Sequence, residues 1–135
     1  MLVPFDVAMC AAREASSILS RFFNDGFSIR LKGVSDMVTD ADVASERRIA
    51  AVIHEAFPGH AILGEEENAG DITAEHLWVI DPLDGTTNFA HHIPHFAVSI
   101  AYLHHGKAEC GVILNPVRED LYVARRGHGA THNGK

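Results

Sequence analysis

With 135 residues, 47% of them hydrophobic, the chain suits a single domain with a real core and is not a disordered polypeptide. A formal net charge of −7 with neutral histidines excludes a nucleic acid or an anionic membrane as the main partner, so an anionic substrate needs a cation between it and the protein. No run approaches the roughly 20 apolar residues of a membrane span, no basic segment precedes the N-terminal apolar residues, and Cys10 and Cys110 read as reduced thiols of a cytoplasmic protein.

Val7, Ala8, Ala11, Ala12, Ala15, Ile18, Leu19, Phe22 and Phe23 recur at helical spacing between Pro4 and Gly26, which predicts a first helix. Ser28 to Lys32 suits a short strand, and Gly33 to Asp36 reads as a turn. Thr39, with Asp42 three residues on, resembles a capping box. Val43, Ile49, Ala50, Val52, Ile53 and Phe57 then give a second helix its apolar face, ended by Pro58-Gly59. Ala61 to Leu63 is a short apolar strand, Glu65 to Glu75 an acidic loop, and Leu77 to Ile80 a strand that stops at Asp81-Pro82. Phe96 to Leu103, Ala108 to Leu114 and Leu121 to Ala124 read as a meander, with turns at His104 to Lys107 and at Asn115-Pro116; Gly127 to Lys135 is turn-like. No repeat or linker divides the chain. The expected class is α+β, with two helices packed on a largely antiparallel sheet.

The chemistry concentrates in the run from Trp78 to Phe89, W-V-I-D-P-L-D-G-T-T-N-F. An apolar strand delivers Asp81 to its end, and Pro82 bends the chain so that Asp84 turns back beside it. Gly85 permits close backbone approach, and Thr86, Thr87 and Asn88 open a short helix. Carboxylates beside a helix N-terminus suit a hard cation bound next to a phosphate. In isolation the same residues make a plain turn, because Asp-Gly is a common turn dipeptide.

A second acidic site changes that balance. Glu65-Glu66-Glu67 also follows a short strand, so two strands in one sheet bring Glu65 or Glu66 to Asp81, while Glu67 and its neighbour Glu66 read as solvated. Two like unit charges at 4 Å repel by about 4 kcal/mol at an effective dielectric near 20, and a divalent cation reverses that sign. Asp42 joins the group as a carboxylate able to hold the Thr86 hydroxyl and aim it at an attacking water.

These residues resemble the inositol monophosphatase family, in its bacterial form. The similarity runs through Lys32-Gly33, Asp36 to Asp42, Gly64-Glu65-Glu66, Trp78 to Phe89, Pro94 to Ala101, Arg126 to Ala130 and Asn133-Gly134, in the family's order. It covers the N-terminal half of the family's length. It implies a metal-binding α+β domain over residues 1–135, the N-terminal layer of the inositol monophosphatase and fructose-1,6-bisphosphatase fold, with the C-terminal domain absent. It also implies a Mg²⁺-dependent phosphomonoesterase that hydrolyses inositol monophosphate or a similar sugar or polyol phosphate with metal-activated water.

The resemblance assigns roles. Glu65 and Asp81, with the Leu83 carbonyl, match ligands of a first Mg²⁺; Asp81 and Asp84 match ligands of a second; Glu65 reaches toward a third. Thr86 paired with Asp42 activates the water, with Glu65 also catalytic, and Asp84, Gly85 and Thr86 bind the phosphate. Thr-Thr-Asn-Phe is closer to the inositol-phosphate and archaeal fructose-bisphosphatase branches than to the nucleotide type. Fructose-1,6-bisphosphatase or histidinol-phosphatase activity stays open on this fold, as does a regulatory role as a binding partner of the transcription machinery. The expected partners are a small phosphorylated polyol or sugar and, in the full-length protein, a second copy in a homodimer.

The family also places a further Asp, in a Trp-Asp context, in its second domain, and no such motif follows Trp78 here. The expectation is therefore that the chain alone has little activity. It also follows that Val98, Ile100, Val112 and Leu114 would lie bare on the sheet face that meets the second domain. His91, His92 and His95 read as a surface loop rather than a zinc site, Arg125-Arg126 as a solvated turn, Trp78 as a strand-start packing residue, and Lys32 as either a phosphate-attracting or a solvated lysine.

Overall fold

The computed structural model describes residues 2–34 and 36–135. Ser35, within the turn expected at Gly33 to Asp36, lies outside the described residues. Helix α1 (Pro4–Asp25) starts on a proline, whose missing N–H has no partner to lose in a first turn. It ends where Gly26, at φ 113°, returns its N–H to Phe22 O at 2.9 Å. Its buried stripe is Val7, Ala8, Ala11, Ala12, Ala15 and Leu19. The run of alanines lets α1 lie close against α2 (Asp40–Ala56) and against the sheet behind. The capping box is real: the Thr39 side chain accepts the Asp42 N–H, and the Asp42 side chain accepts the Thr39 N–H.

Strands β1 (Ile29–Leu31) and β2 (Met37–Thr39) form a small antiparallel ribbon. The main sheet has six strands whose spatial order follows the chain: β3 (Ala61–Leu63), β4 (His76–Asp84), β5 (Ala97–His104), β6 (Lys107–Asn115), β7 (Asp120–Arg125) and β8 (Gly129–His132). Only β3 and β4 run parallel. The α+β class, with helices on a largely antiparallel sheet, is therefore the observed one. A short helix α3 (Thr86–Ala90) follows β4.

Three features differ from expectation. Strand β4 does not stop at Asp81-Pro82 but continues to Asp84. Asp81 pairs with Ser99 and Asp84 with Ala97, so one strand advances three residues while the other advances two. This bulge accommodates Pro82, which has no ladder N–H to donate. Strand β8 lies where a turn was read, and β2 covers residues 37–39 to which no strand was assigned, because three or four residues are too few to display alternation.

The third difference concerns the sheet faces. Val98, Ile100, Val112 and Leu114 are not bare but buried in the core. They form the cross-strand pairs Val98–Leu114 and Ile100–Val112 on the face covered by α1. The helices claim the more apolar parity of each strand. The opposite parity, with Val79, Ile113 and Tyr122, is the exposed one.

After β3 the chain doubles back. Gly64 donates to Asn68 O at 2.7 Å, Leu63 bridges Ala69, and Gly70 donates to Ile62 O at 2.8 Å. Residues 69–70 thus lie along the outer side of β3. Around α3, Phe89 is fully buried among Phe23, Phe27 and Phe96, with ring centroids 5.4, 4.7 and 4.9 Å away. Cys10 is exposed and Cys110 buried, both free. Among the described residues no helix is long and apolar enough to cross a membrane.

Candidate active site

Parallel pairing of β3 with β4 makes both strands end at the same edge. Glu65 stands just past the end of β3, and Asp81 and Asp84 occupy the last residues of β4. Burial pushes Asp81 up to about 7, and the neighbouring Glu65 and Asp84 carboxylates add to the rise. Glu65 is also raised, first by desolvation, with Lys32 opposing and Glu66 and Asp42 contributing. Glu65 and Asp84 thus both disfavour the charged form of Asp81.

Among the described residues these three acids do not converge on one point with oxygens all within 4.8 Å. The electrostatic contacts are instead pairwise, Glu65 with Asp81 and Asp84 with Asp81. The donor set is all oxygen, the preference of a hard cation such as Mg²⁺. Leu83 buries its side chain, but its backbone faces this group. Its N–H donates to Asp81 Oδ1 at 3.3 Å, and its carbonyl lies 3.1 Å from the Thr86 hydroxyl oxygen, whose single proton goes to the nearer Asp42 carboxylate. That carbonyl retains a lone pair for an ion.

Asp42, buried at the start of α2, serves two partners with different oxygens. Oδ2 accepts the Thr39 N–H at 2.9 Å and its hydroxyl at 2.6 Å, while Oδ1 accepts the Thr86 hydroxyl at 2.9 Å. The cap and the Thr86 contact therefore coexist. Gly85 takes the left-handed conformation at φ 93°, and a Cβ there would stand 3.0 Å from His95 O. It starts α3, whose first N–H groups have no intrahelical partner. Beside Asp84 and Gly85 opens a cleft of ≈ 480 Å³, lined also by Asn88, His95, Asn115 and Arg118.

The residues that build this edge include some that sequence reasoning did not single out. Glu46 is fully buried in α2. Its carboxylate accepts the N–H groups of Glu66, Glu67 and Asn68 at 2.8, 2.6 and 2.8 Å, and the Asn68 amide at 3.0 Å. Burial alone would raise this acid, but the four donors outweigh it and hold the carboxyl below its ordinary range. Gly64 makes room: a Cβ there would fall 2.7 Å from the Glu46 carboxylate. The signal was present, since Asp42, Glu46, Ile49 and Ile53 share one helical stripe and Glu46 is the acid inside it. Ser45 donates to Pro82 O at 2.7 Å and fixes the bend of β4.

Glu66 is not solvated. Its side chain is 4% exposed and receives Lys32 Nζ at 3.1 Å. Lys32 therefore ties the ribbon to the acidic loop, and this contact holds its ammonium above the usual range. Glu67, by contrast, is exposed and pairs with Arg47. His91 and His92 point to different partners, Thr87 O and the Phe23 and Phe27 rings, and form no metal cluster with His95 among the described residues. Arg125 and Arg126 are not simply solvated: one lies 4.5 Å over the Phe5 ring, and the other donates to Ala108 O. Trp78 is wholly buried and donates to His60 Nδ1 at 3.0 Å.

The sequence profile of the inositol monophosphatase family matches residues 3–135. Nus factor SuhB of Pseudomonas aeruginosa is 47% identical in an alignment that covers 96% of this chain and 50% of that protein. The crystal structure of the extragenic suppressor protein suhB from Bartonella henselae superposes with a TM-score of 0.90 at 40% identity, covering 97% of this chain and 52% of that one. An IMPase/NADP phosphatase crystallised with Mg²⁺ and phosphate gives 0.87 at 28% identity, over 97% and 51%. The chain spans about half the length of the curated relatives it matches.

Proposed function

The chain belongs to the inositol monophosphatase family, and on that premise we propose that it carries the greater part of the active site of a Mg²⁺-dependent phosphomonoesterase acting on a small phosphorylated polyol or sugar. The observation that supports this best is the shared edge of β3 and β4, where Glu65, Asp81, Leu83 O and Asp84 offer only oxygen donors. Glu65, Asp81 and the Leu83 carbonyl would hold one ion, and Asp81 and Asp84 a second. When bound, Mg²⁺ supplies charge neutralisation and Lewis acidity toward the phosphate oxygens.

The rest follows from the chain's own groups. Asp42 Oδ1 holds the Thr86 proton, leaving the Thr86 oxygen lone pairs free to orient a water for attack on phosphorus. Asp42 stays in place because its other oxygen is fixed by the cap. The Gly85 and Thr86 N–H groups start α3 and suit the phosphate oxygens. Water attacks phosphorus and releases one of its protons to solvent, the phosphorus–oxygen ester bond breaks, and the leaving alkoxide takes a proton from solvent. No covalent phosphoenzyme is required. The cleft beside Asp84, with Asn88 and Arg118 on its walls, is where the alcohol part of the substrate would sit.

Phosphate release from inositol monophosphate by the whole protein that carries this chain tests the reading. Turnover that requires Mg²⁺ and is lost in Asp84→Asn supports it; turnover indifferent to both overturns it. A second reading, a binding partner of the transcription machinery, draws on the name Nus factor borne by the 47% identical relative. An interaction with transcription proteins that survives Asp84→Asn would support that role.

A further inference from the structure

At the end of the sheet opposite the carboxylates, Glu75, His76 and His104 gather their donor atoms within 4.8 Å of one another. We propose that this cluster is a binding site for Zn²⁺ or a similar late first-row divalent ion, separate from the magnesium site and with a structural role.

Three observations carry the assignment. The first is backbone placement. His76 and His104 are directly paired across β4 and β5, so their side chains leave the same face of the sheet as neighbours. Glu75 immediately precedes β4, and its carbonyl accepts the His105 N–H at 2.8 Å, which closes the end of the hairpin. The donors therefore sit on a rigid frame rather than on a free loop.

The second is spacing. Glu75 Oε2 stands 3.3 Å from His76 Nε2 and 3.1 Å from His104 Nε2. In a tetrahedral zinc site with bonds of about 2.0–2.2 Å, adjacent donor atoms stand about 3.3–3.6 Å apart. The carboxylate oxygen and the two ring nitrogens already lie close to such edges. His105 Nε2 reaches the same oxygen at 3.5 Å but lies outside the trio, so it serves to orient the carboxylate. A fourth position stays open to water, since Glu75, His76 and His104 are all partly exposed.

The third is the support behind the rings. The far nitrogen of His76, Nδ1, lies 2.7 Å from the Tyr102 hydroxyl. Donation from Nδ1–H to that oxygen leaves Nε2 with its lone pair outward, which is the tautomer that a metal-binding imidazole requires. His60 stacks on His76 at 4.3 Å and 10°, while His104 lies parallel to His76 at 4.9 Å, so a turn of the His104 ring about Cβ–Cγ is needed to bring both Nε2 lone pairs onto one ion. Trp78 in turn donates to His60 Nδ1 and fixes the base of the stack. Imidazole and carboxylate donors match zinc, while oxygen-only donors at the other end match magnesium. The two ends thus select different ions.

Zinc titration calorimetry on the whole protein, with Mg²⁺ in large excess to occupy the carboxylate edge, tests this. One equivalent of Zn²⁺ is expected, with a rise in melting temperature on binding. His104→Ala and Glu75→Gln, at a half-buried and an exposed position, should each weaken Zn²⁺ by more than about 100-fold and remove the melting shift. Tyr102→Phe, which removes only the partner of Nδ1, should weaken it by about 10-fold. Asp81→Asn should leave the zinc affinity unchanged. Absence of the zinc equivalent, or zinc binding that persists in His104→Ala and Glu75→Gln, would overturn the proposal.

Discussion

The Thr86 hydroxyl donates to Asp42 Oδ1 at 2.9 Å, across 44 residues of sequence, while Asp42 Oδ2 is occupied by the cap of its own helix. One carboxylate therefore joins the start of α2 to the turn after β4. Asparagine at 42 keeps a single acceptor oxygen and can serve only one side. Asp42→Asn should lower kcat by about 10²- to 10⁴-fold, the size of a lost acid–base contribution. Thr39→Ala should cost about 1 kcal/mol of stability through the cap but leave kcat within a small factor, because the Thr39 N–H still holds Asp42 Oδ2. Steady-state kinetics and thermal melts on both variants separate the two duties.

Glu46 is expected to govern the shape of the acidic loop. In Glu46→Gln an amide NH₂ replaces an oxygen that faces backbone N–H groups, leaving buried donors unpaired at about 1–3 kcal/mol each. Chemical denaturation should show a loss in that range, and Mg²⁺ should bind more weakly because Glu65 adjoins the loosened segment. Unchanged Mg²⁺ affinity would show that Glu65 is held by other means.

The pH response of the metal-free protein follows from Asp81. Its folded value, about 7, lies above its ordinary 3.8. Below 3.8 the acid is neutral in both states, and its favourable contribution is complete. As pH rises toward 7 the unfolded chain ionises first, so stability falls and then levels off above 7. Melts in chelator should show this decline between pH 4 and 7, flattened in Asp81→Asn. With Mg²⁺ present the sign reverses, because the ion binds the ionised form and binds less as pH drops below 7.

Phe89→Ala should cost about 3–5 kcal/mol, since the ring is fully buried against Phe23 of α1 and Phe96 just before β5. It should also raise the Mg²⁺ concentration needed for turnover, because α3 and the Asp84–Thr86 turn lose their anchor. Denaturation curves and Mg²⁺ titrations of activity measure the two effects together.

Much of this was legible from residues alone. The alanine-rich stripe of α1, the Thr39–Asp42 cap and the placing of Glu65 just past its strand all follow from periodicity and turn chemistry. Strand β4 was read too short because Pro82 usually ends a strand, and a bulge that absorbs it leaves no mark in sequence. Glu46 was passed over because a lone acid in a helix is normally solvated, and only the fold brings four donors to it. The sheet faces were assigned to the wrong side for a simpler reason. Both parities of β5 and β6 contain apolar residues, and the side that α1 covers is decided by packing between distant segments.

The doubling back of the chain at residues 68–70 has a consequence for self-association. Exposed strand borders carry unpaired backbone groups that recruit further strands. Here the Ala69–Gly70 segment already occupies part of the outer side of β3, and Gly70 lies so close to Ile62 that no side chain fits between them. Among the described residues nothing pairs with the outer side of β8. The sheet is thus shielded along one border and open along the other. A strand that approached β3 would first have to displace Ala69–Gly70, whereas one laid beside Gly129–His132 would displace no described strand.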